Sequence, residues 1–224
     1  MRCFIPLALL VIASAAGAQP ADRRFDVRGF DTVELASSDT IRIVPGASFS
    51  VTAAGDPRAV ASLALDVRGG TLRIRRTPGQ HSDRGATVTV RMPVVRAMRL
   101  SGSGTIDAGG VGGESVTARL SGSGQVRLAD LHARQVHLIL DGSGSITASG
   151  RADRVRVNLG GSGRVETMAL ETPTLAVNLG GSGDVAATAS SAASIRAGGS
   201  GSVRVTGHPT CAVTKSGTAR VTCR

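Results

Sequence analysis

Few side chains in this chain could do chemistry, and their spacing sorts them quickly. Cys211 and Cys223 stand near the C-terminus, while Cys3 sits at the opposite end. A metal site would need further ligands close by, yet His81, His132, His137 and His208 make no ligand-spaced set with the cysteines. In an oxidising compartment the pair forms a disulfide instead, and that is the expectation for Cys211 and Cys223. Arginine is the other abundant reactive group. Lys215 is the single lysine among the 26 basic residues, and the formal charge is +10. Such a balance suits anionic partners: lipopolysaccharide, acidic polysaccharide or extracellular nucleic acid. A GC-rich codon usage and ordinary surface solvation would produce the same balance. Aromatic residues do not interleave with the arginines, so the stacking platform of a single-strand nucleic-acid binder is missing.

The N-terminus is a targeting segment. Arg2 supplies a positive charge, Phe4 to Ala16 is almost wholly apolar, and Ala16-Gly17-Ala18 has the small-x-small form of a cleavage site. Residues 1–18 are therefore expected to be a signal peptide, with Gln19 the first mature residue. The run is too short for a spanning helix of roughly 20 residues, and no later stretch approaches that length. Cys3 precedes the apolar run, so no lipid anchor is expected. The protein is expected to be exported, to the periplasm or cell surface of a bacterium or beyond it.

The elements that position the remaining residues come from a repeat. Ser101-Gly102-Ser103-Gly104 recurs at 121–124, 141–144, 160–163, 180–183 and 198–201, with a decayed copy at 216–219. Spacings of 18 to 20 residues are too short for helical hairpins and suit one coil of a β-solenoid. Residues before each corner alternate, as in Val136-His-Leu138-Ile-Leu140, and so do residues after it, as in Val126-Arg-Leu128. Period two with β-branched residues marks strands with one buried face. Tryptophan and tyrosine are absent, and the mature chain's three phenylalanines all precede residue 50. A thin interior of Val, Leu, Ile and Ala fits that composition. The glycines permit positive φ and close backbone stacking at the corner. About seven rungs are expected.

Stacking such rungs sets outward residues in files. Asp107 falls one rung from Arg127, Arg164 one rung from Asp184, and Asn158 one rung from Asn178. Neighbours in a file are about 4.8 Å apart. Opposite charges there favour correct register, with at most about 1 kcal/mol for an exposed pair. In the last rung Cys211 and Val213 before the corner, and Val221 and Cys223 after it, share inward parity. A disulfide there would pin the open end of the stack.

The first half reads differently. Phe25-Asp-Val27, Phe30 to Leu35, Thr40 to Val44, Phe49 to Val51 and Leu72 to Arg75 read as strands separated by turns. Residues 59–65 read as a short helical turn or another strand, and Pro78 to Gly85 as a polar loop. A soft boundary is placed near residue 98. Residues 19–98 would form a wider coil or small β cap, and 99–224 the Gly/Ser-cornered solenoid, the two together making one continuous domain.

Phe30-Asp31-Thr32-Val33-Glu34-Leu35, the Gly46…Phe49-Ser50-Val51 segment, Gly70-Thr71-Leu72-Arg73-Ile74 and the Ser-Gly-Ser-Gly corners that follow resemble the head GIN domain family, auto-transporter adhesins of the bacterial envelope. The resemblance covers about residues 25–224. It implies an all-β, right-handed parallel β-helix and an exported location, and it brings no catalytic motif. The long amphipathic strands and aromatic girdles of a translocator barrel are missing from the sequence.

Three functions are weighed on this basis. The first is a non-enzymatic binding or adhesion module. It would use Arg119, Arg127, Arg156, Arg196 and Arg204 as a surface for an anionic envelope polymer, or dock another envelope protein. The second is a structural solenoid that associates with copies of itself. The third is a polysaccharide-active enzyme, since parallel β-helices also host lyases and hydrolases. The repeat-region acids fall in different files, no aromatic ring is available to stack on a sugar, and the Gly-Ser-Gly triplets form no nucleophile elbow. Catalytic, cofactor-binding and metal-binding residues are thus assigned to none.

Overall fold

The computed structural model describes residues 21–79 and 85–224. The expected leader and most of the expected 78–85 loop lie outside these. Nearly all of the rest is β-structure joined in one continuous hydrogen-bonded sheet. The chain runs β1 (Ala21–Phe25), β2 (Thr32–Ala36), β3 (Thr40–Pro45), β4 (Ser50–Gly55), the short helix α1 (Pro57–Ser62), β5 (Leu63–Arg68), β6 (Thr71–Arg76) and β7 (Ala86–Met92). The repeats follow as β8 (Ala97–Leu100), β9 (Thr105–Gly109), β10 (Gly112–Leu120), β11 (Gln125–Leu140), β12 (Ser145–Leu159), β13 (Arg164–Glu171) and β14 (Thr174–Leu179). The last rungs add β15 (Asp184–Thr188), β16 (Ala192–Ala197), β17 (Ser202–Thr206), β18 (Thr210–Lys215) and β19 (Arg220–Cys223).

Each Ser/Gly corner joins a strand of one parallel stack to a strand of a second. The first stack holds the strands that enter the corner, in spatial order β6, β2, β8, β10, the second half of β11, the second half of β12, β14, β16 and β18. The second holds those that leave it: β7, β3, β9, the first halves of β11 and β12, then β13, β15, β17 and β19. The expected alternation holds, with Val136, Leu138 and Leu140 buried between the stacks and His137 and Ile139 turned outward. Small and medium aliphatic residues fill the interior of the repeats, and the buried ring of Phe30 belongs to the N-terminal end.

The corners are built by close approach. Ser143 and Gly144 both donate N–H to the Gly122 carbonyl at 3.1 Å. A Cβ on Gly142 would stand 2.2 Å from that oxygen, and one on Gly144 would meet Leu120 Cδ2 at 2.7 Å. Positive φ, the other use expected of these glycines, occurs in the corners only at Gly199 and Gly217. Glycine is therefore kept chiefly because consecutive backbones lie flush.

A second bend, which the sequence does not advertise, folds each rung at its far side. Asp130 (φ 53°) turns β11 there, and Gly150 (φ 121°) turns β12. At the N-terminal end sequence order and spatial order part company. The β2–β3 rung lies between β6–β7 below and β8–β9 above, and its Ser37 and Asp39 carbonyls receive the N–H groups of Gly104 and Thr105. Antiparallel β5 on β6, and β4 with β1 on β7, close this end together with α1. In this region β2, β3, β6 and β7 continue the two parallel stacks, and β1, β4, β5 and α1 lie on them as a small cap. Residues 59–65 divide between α1 and β5, with Asp56 capping the helix by accepting from Arg58 and Ala59 N–H.

Candidate functional site

Among the described residues no group of three or more His, Cys, Asp or Glu is placed to hold a metal ion. One buried carboxylate stands out, and its partners are structural. Asp39, with a fully buried side chain, accepts from Arg76 at 2.6 and 3.0 Å, from the Ala86 N–H at 2.8 Å and from the Ser37 hydroxyl at 2.7 Å. Burial pushes its carboxyl up, but the hydrogen bonds from Arg76, Ala86 and Ser37 outweigh this and hold it below the usual range. The hydrogen bond to Asp39 in turn raises Arg76. The pair ties β6 and β7 to the corner between β2 and β3.

The two outer faces differ in charge. On the second stack cations alternate with acids, as the files predict. Arg127 lies 3.1 Å from Asp107, and Arg164 lies 3.6 Å from Asp184 and 3.9 Å from Glu166. Arg204 stands in the Arg127 file, in register with Ala186. On the first stack Asn178 Nδ2 donates to Asn158 Oδ1 at 2.9 Å, the expected amide contact. Over the last six residues of each strand from β10 to β18, and across β8, the outward positions include Arg99, Arg119, Arg154, Arg156 and Arg196 and no acid. Glu114 and Asp153 on this side stand at the second bend, 3.1 and 3.9 Å from Arg134. Asp141, at a corner, lies 2.6 Å from Arg119.

The five arginines expected to share one surface are thus divided. Arg119, Arg156 and Arg196 share the first stack. Arg127 and Arg204 lie on the opposite face, because they follow the corner and the others precede it. Arg99 and Arg154 join the first group and were not singled out from the sequence. Their outward parity was readable, since each stands an even number of residues from Arg119 or Arg156 in an equivalent strand. Between the rungs a shallow groove of about 90 Å³ is bordered by Gln135, His137, Arg154, Arg156, Thr174 and Ala176. Two larger hollows lie elsewhere. One of about 320 Å³ runs over the serines of the corners and ends at the Arg164–Asp184 pair. One of about 510 Å³ lies on the second stack beside Arg42, Val44 and the Asp107–Arg127 pair. Acids share the walls of both hollows with arginines, Asp184 beside Arg164 and Asp107 between Arg42 and Arg127, whereas the groove on the first stack has Arg154 and Arg156 and no acid.

Cys211 and Cys223 form a disulfide with Cα atoms 6.5 Å apart. Val213 has the expected inward parity yet is 46% exposed, because no rung of the described residues lies above it. No described helix is long and apolar enough to cross a membrane.

The fold recurs in solved structures. A crystal structure described as a putative adhesin from Bacteroides fragilis superposes with a TM-score of 0.82 at 17% identity, covering 92% of this chain and 97% of that one. One described as a putative lipid binding protein from Parabacteroides distasonis gives 0.70 at 19% identity, covering 90% and 95%. A putative adhesin from Parabacteroides merdae gives 0.66 at 13%, covering 91% and 95%. No curated protein sequence matches. Residues 29–209 match the family described as "putative auto-transporter adhesin, head GIN domain", and the chain belongs to that family.

Proposed function

We propose that this protein is an exported, non-enzymatic binding module of the bacterial envelope, and that it holds an anionic polymer on the outer face of its first stack. The observation that carries this reading is the charge division between the two faces. Acids and arginines share files on the second stack, whereas from β10 onward the first stack presents arginines with no acid in register; Glu34 on β2, beside Arg73 and Arg99, lies at its N-terminal end. The adhesin-like family and the structural neighbours support a surface-binding role. A guanidinium is a planar fork suited to carboxylate and phosphate, and a field of them attracts a polyanion at long range. Retention of the purified protein on immobilised envelope polysaccharide tests the reading. Retention should weaken with salt, because exposed charges are screened. It should also fall when Arg99, Arg154 and Arg156 become Ser. Unchanged retention of that variant would sink the proposal.

A second reading has its own observation. Among the described residues the last rung is uncovered, with Val213 exposed and the outer edges of β18 and β19 unpaired. Such edges favour association of copies. Light scattering across a concentration range would show mass rising with concentration if this is the main role, and a constant monomer mass would exclude it.

A further inference from the structure

The arginines of the first stack have a period. In the spatial order β8, β10, β11, β12, β14, β16, β18, Arg119 lies on β10, Arg156 on β12 and Arg196 on β16. From β10 onward a cation therefore recurs at every second rung, roughly 10 Å apart along the axis at about 4.8 Å per strand, while Arg99 on β8 adds one on the rung next to Arg119. The rungs between present uncharged or hydrogen-bonding groups instead: His137 and Ile139 on β11, Ala176 and Asn178 on β14. A sugar ring in an extended glycan advances its chain by about one such rung. We infer that the ligand is an acidic polysaccharide lying along the solenoid axis, with its anionic groups on alternate sugars. This deepens the reading above and rests on it.

Three features favour such a chain. Ala97, Ala176, Ala192 and Ala212 are among the outward positions of this face, so parts of it are open to a polymer that crosses the strands. Amide and hydroxyl groups at Gln135, Asn158, Asn178 and Thr174 can meet the hydroxyls of uncharged sugars. A lipid surface fits less well, because Ile139, half-buried, is the one large aliphatic side chain this face could insert.

The test compares immobilised hyaluronan, with a carboxylate on alternate sugars, with polygalacturonate, carrying one on every sugar. Dextran, inorganic polyphosphate and anionic phospholipid vesicles complete the set. At equal charge concentration the protein should bind hyaluronan in preference to the other four. Replacing Arg119, Arg156 and Arg196 with Ser should weaken this by about ten- to a hundred-fold, from three exposed charge contacts of about 0.5–1 kcal/mol each. Replacing Arg42, Arg204 and Arg220 of the second stack removes the same charge and should leave binding within about two-fold. Asp141→Asn should strengthen binding, because Asp141 competes for Arg119. Equal binding of both glycans per charge, or preference for polyphosphate or vesicles, overturns the alternate-sugar inference while leaving the basic face intact if the first-stack variant still loses it. Equal loss in both triple variants, or no binding to any probe, overturns the binding reading itself.

Discussion

Two neighbouring glycines in one corner should respond to the same substitution in opposite ways. A Cβ on Gly181 would lie 2.1 Å from the Gly161 oxygen, 2.9 Å from its carbonyl carbon and 3.0 Å from the Gly160 oxygen. All three are backbone atoms. The Gly161 carbonyl accepts from Ser182 N–H at 3.1 Å and Gly183 N–H at 3.2 Å, and Gly161 is itself stacked on Gly142, so it cannot retreat. Gly181→Ala must therefore lift one rung from the next and break both bonds. At about 1 kcal/mol for each bond, and with lost contact across the parted rungs, the expected cost is about 2–4 kcal/mol. A Cβ on Gly180 would meet nothing closer than the Leu159 oxygen at 3.9 Å, and its φ lies outside the left-handed region. Gly180→Ala should be neutral or stabilise by about 0.4–1 kcal/mol, through reduced freedom of the unfolded chain. Urea denaturation followed by circular dichroism measures both. Amide exchange at Ser182 and Gly183 should quicken only in the Gly181 variant. Equal stability of the two variants would refute the claim that flush backbone stacking fixes these corners.

Other perturbations should act locally. Cys223→Ser removes a link that closes 12 residues, worth about 3 kcal/mol by the chain-entropy argument, and rapid exchange should spread through β18 and β19 without reaching β14. Exchange that quickens throughout the stack would contradict an end-pinning role. Asp39→Asn takes one charge from a buried pair and should destabilise by about 3 kcal/mol at neutral pH. Because the folded carboxyl titrates below its unfolded value of about 3.9, its contribution is complete above that value and disappears as pH falls through the lower folded one. The difference between wild type and Asp39→Asn should therefore shrink in acid, and a pH-independent difference would show that the charge is not what holds Asp39 in place.

The repeat was legible because parallel stacking makes every rung solve the same problem. Val136, Leu138 and Leu140 meet the requirement met by Val155, Val157 and Leu159 one rung later, so spacing and parity are written in the sequence many times. For the same reason the Asp107–Arg127 and Asn158–Asn178 contacts could be read by alignment. What could not be read was whatever occurs once. The β2–β3 rung inserts between later rungs, and nothing in the alternation of Val33 and Leu35 states whether their neighbours are β6 and β8 or the next strand along. The second bend hides for another reason. It turns on single residues, Asp130 in one rung and Gly150 in the next, so no motif repeats there. The division of the arginines by face was available in principle, since residues before and after a corner must lie on opposite sides.

That division bears on why the first stack should hold a ligand at all. In a parallel stack each outward residue touches its counterparts above and below, so charge placement affects register as well as solubility. Opposite charges in a file stabilise the correct register and like charges oppose it. The second stack follows this rule, with Asp107 between Arg42 and Arg127 in one file and Arg164 in register with Asp184 in the next. The first stack departs from it at one step, where Arg99 and Arg119 are direct neighbours in register, although Glu34 stands between Arg73 and Arg99 in the same file. Further along this face Arg154, Arg156 and Arg196 have no acid in register, so charge compensation is sparser here than on the second stack. Solvation does not account for this, since threonine or serine would solvate the same positions without repulsion. An anion bound between the arginines would remove the repulsion and use it as a source of affinity. Replacing Arg99 with Thr should therefore change the stability of the free protein little, since repulsion from Arg119 and attraction to Glu34 are lost together, while weakening its hold on an acidic polymer. A variant that lost both stability and binding would show that Arg99 is there for packing.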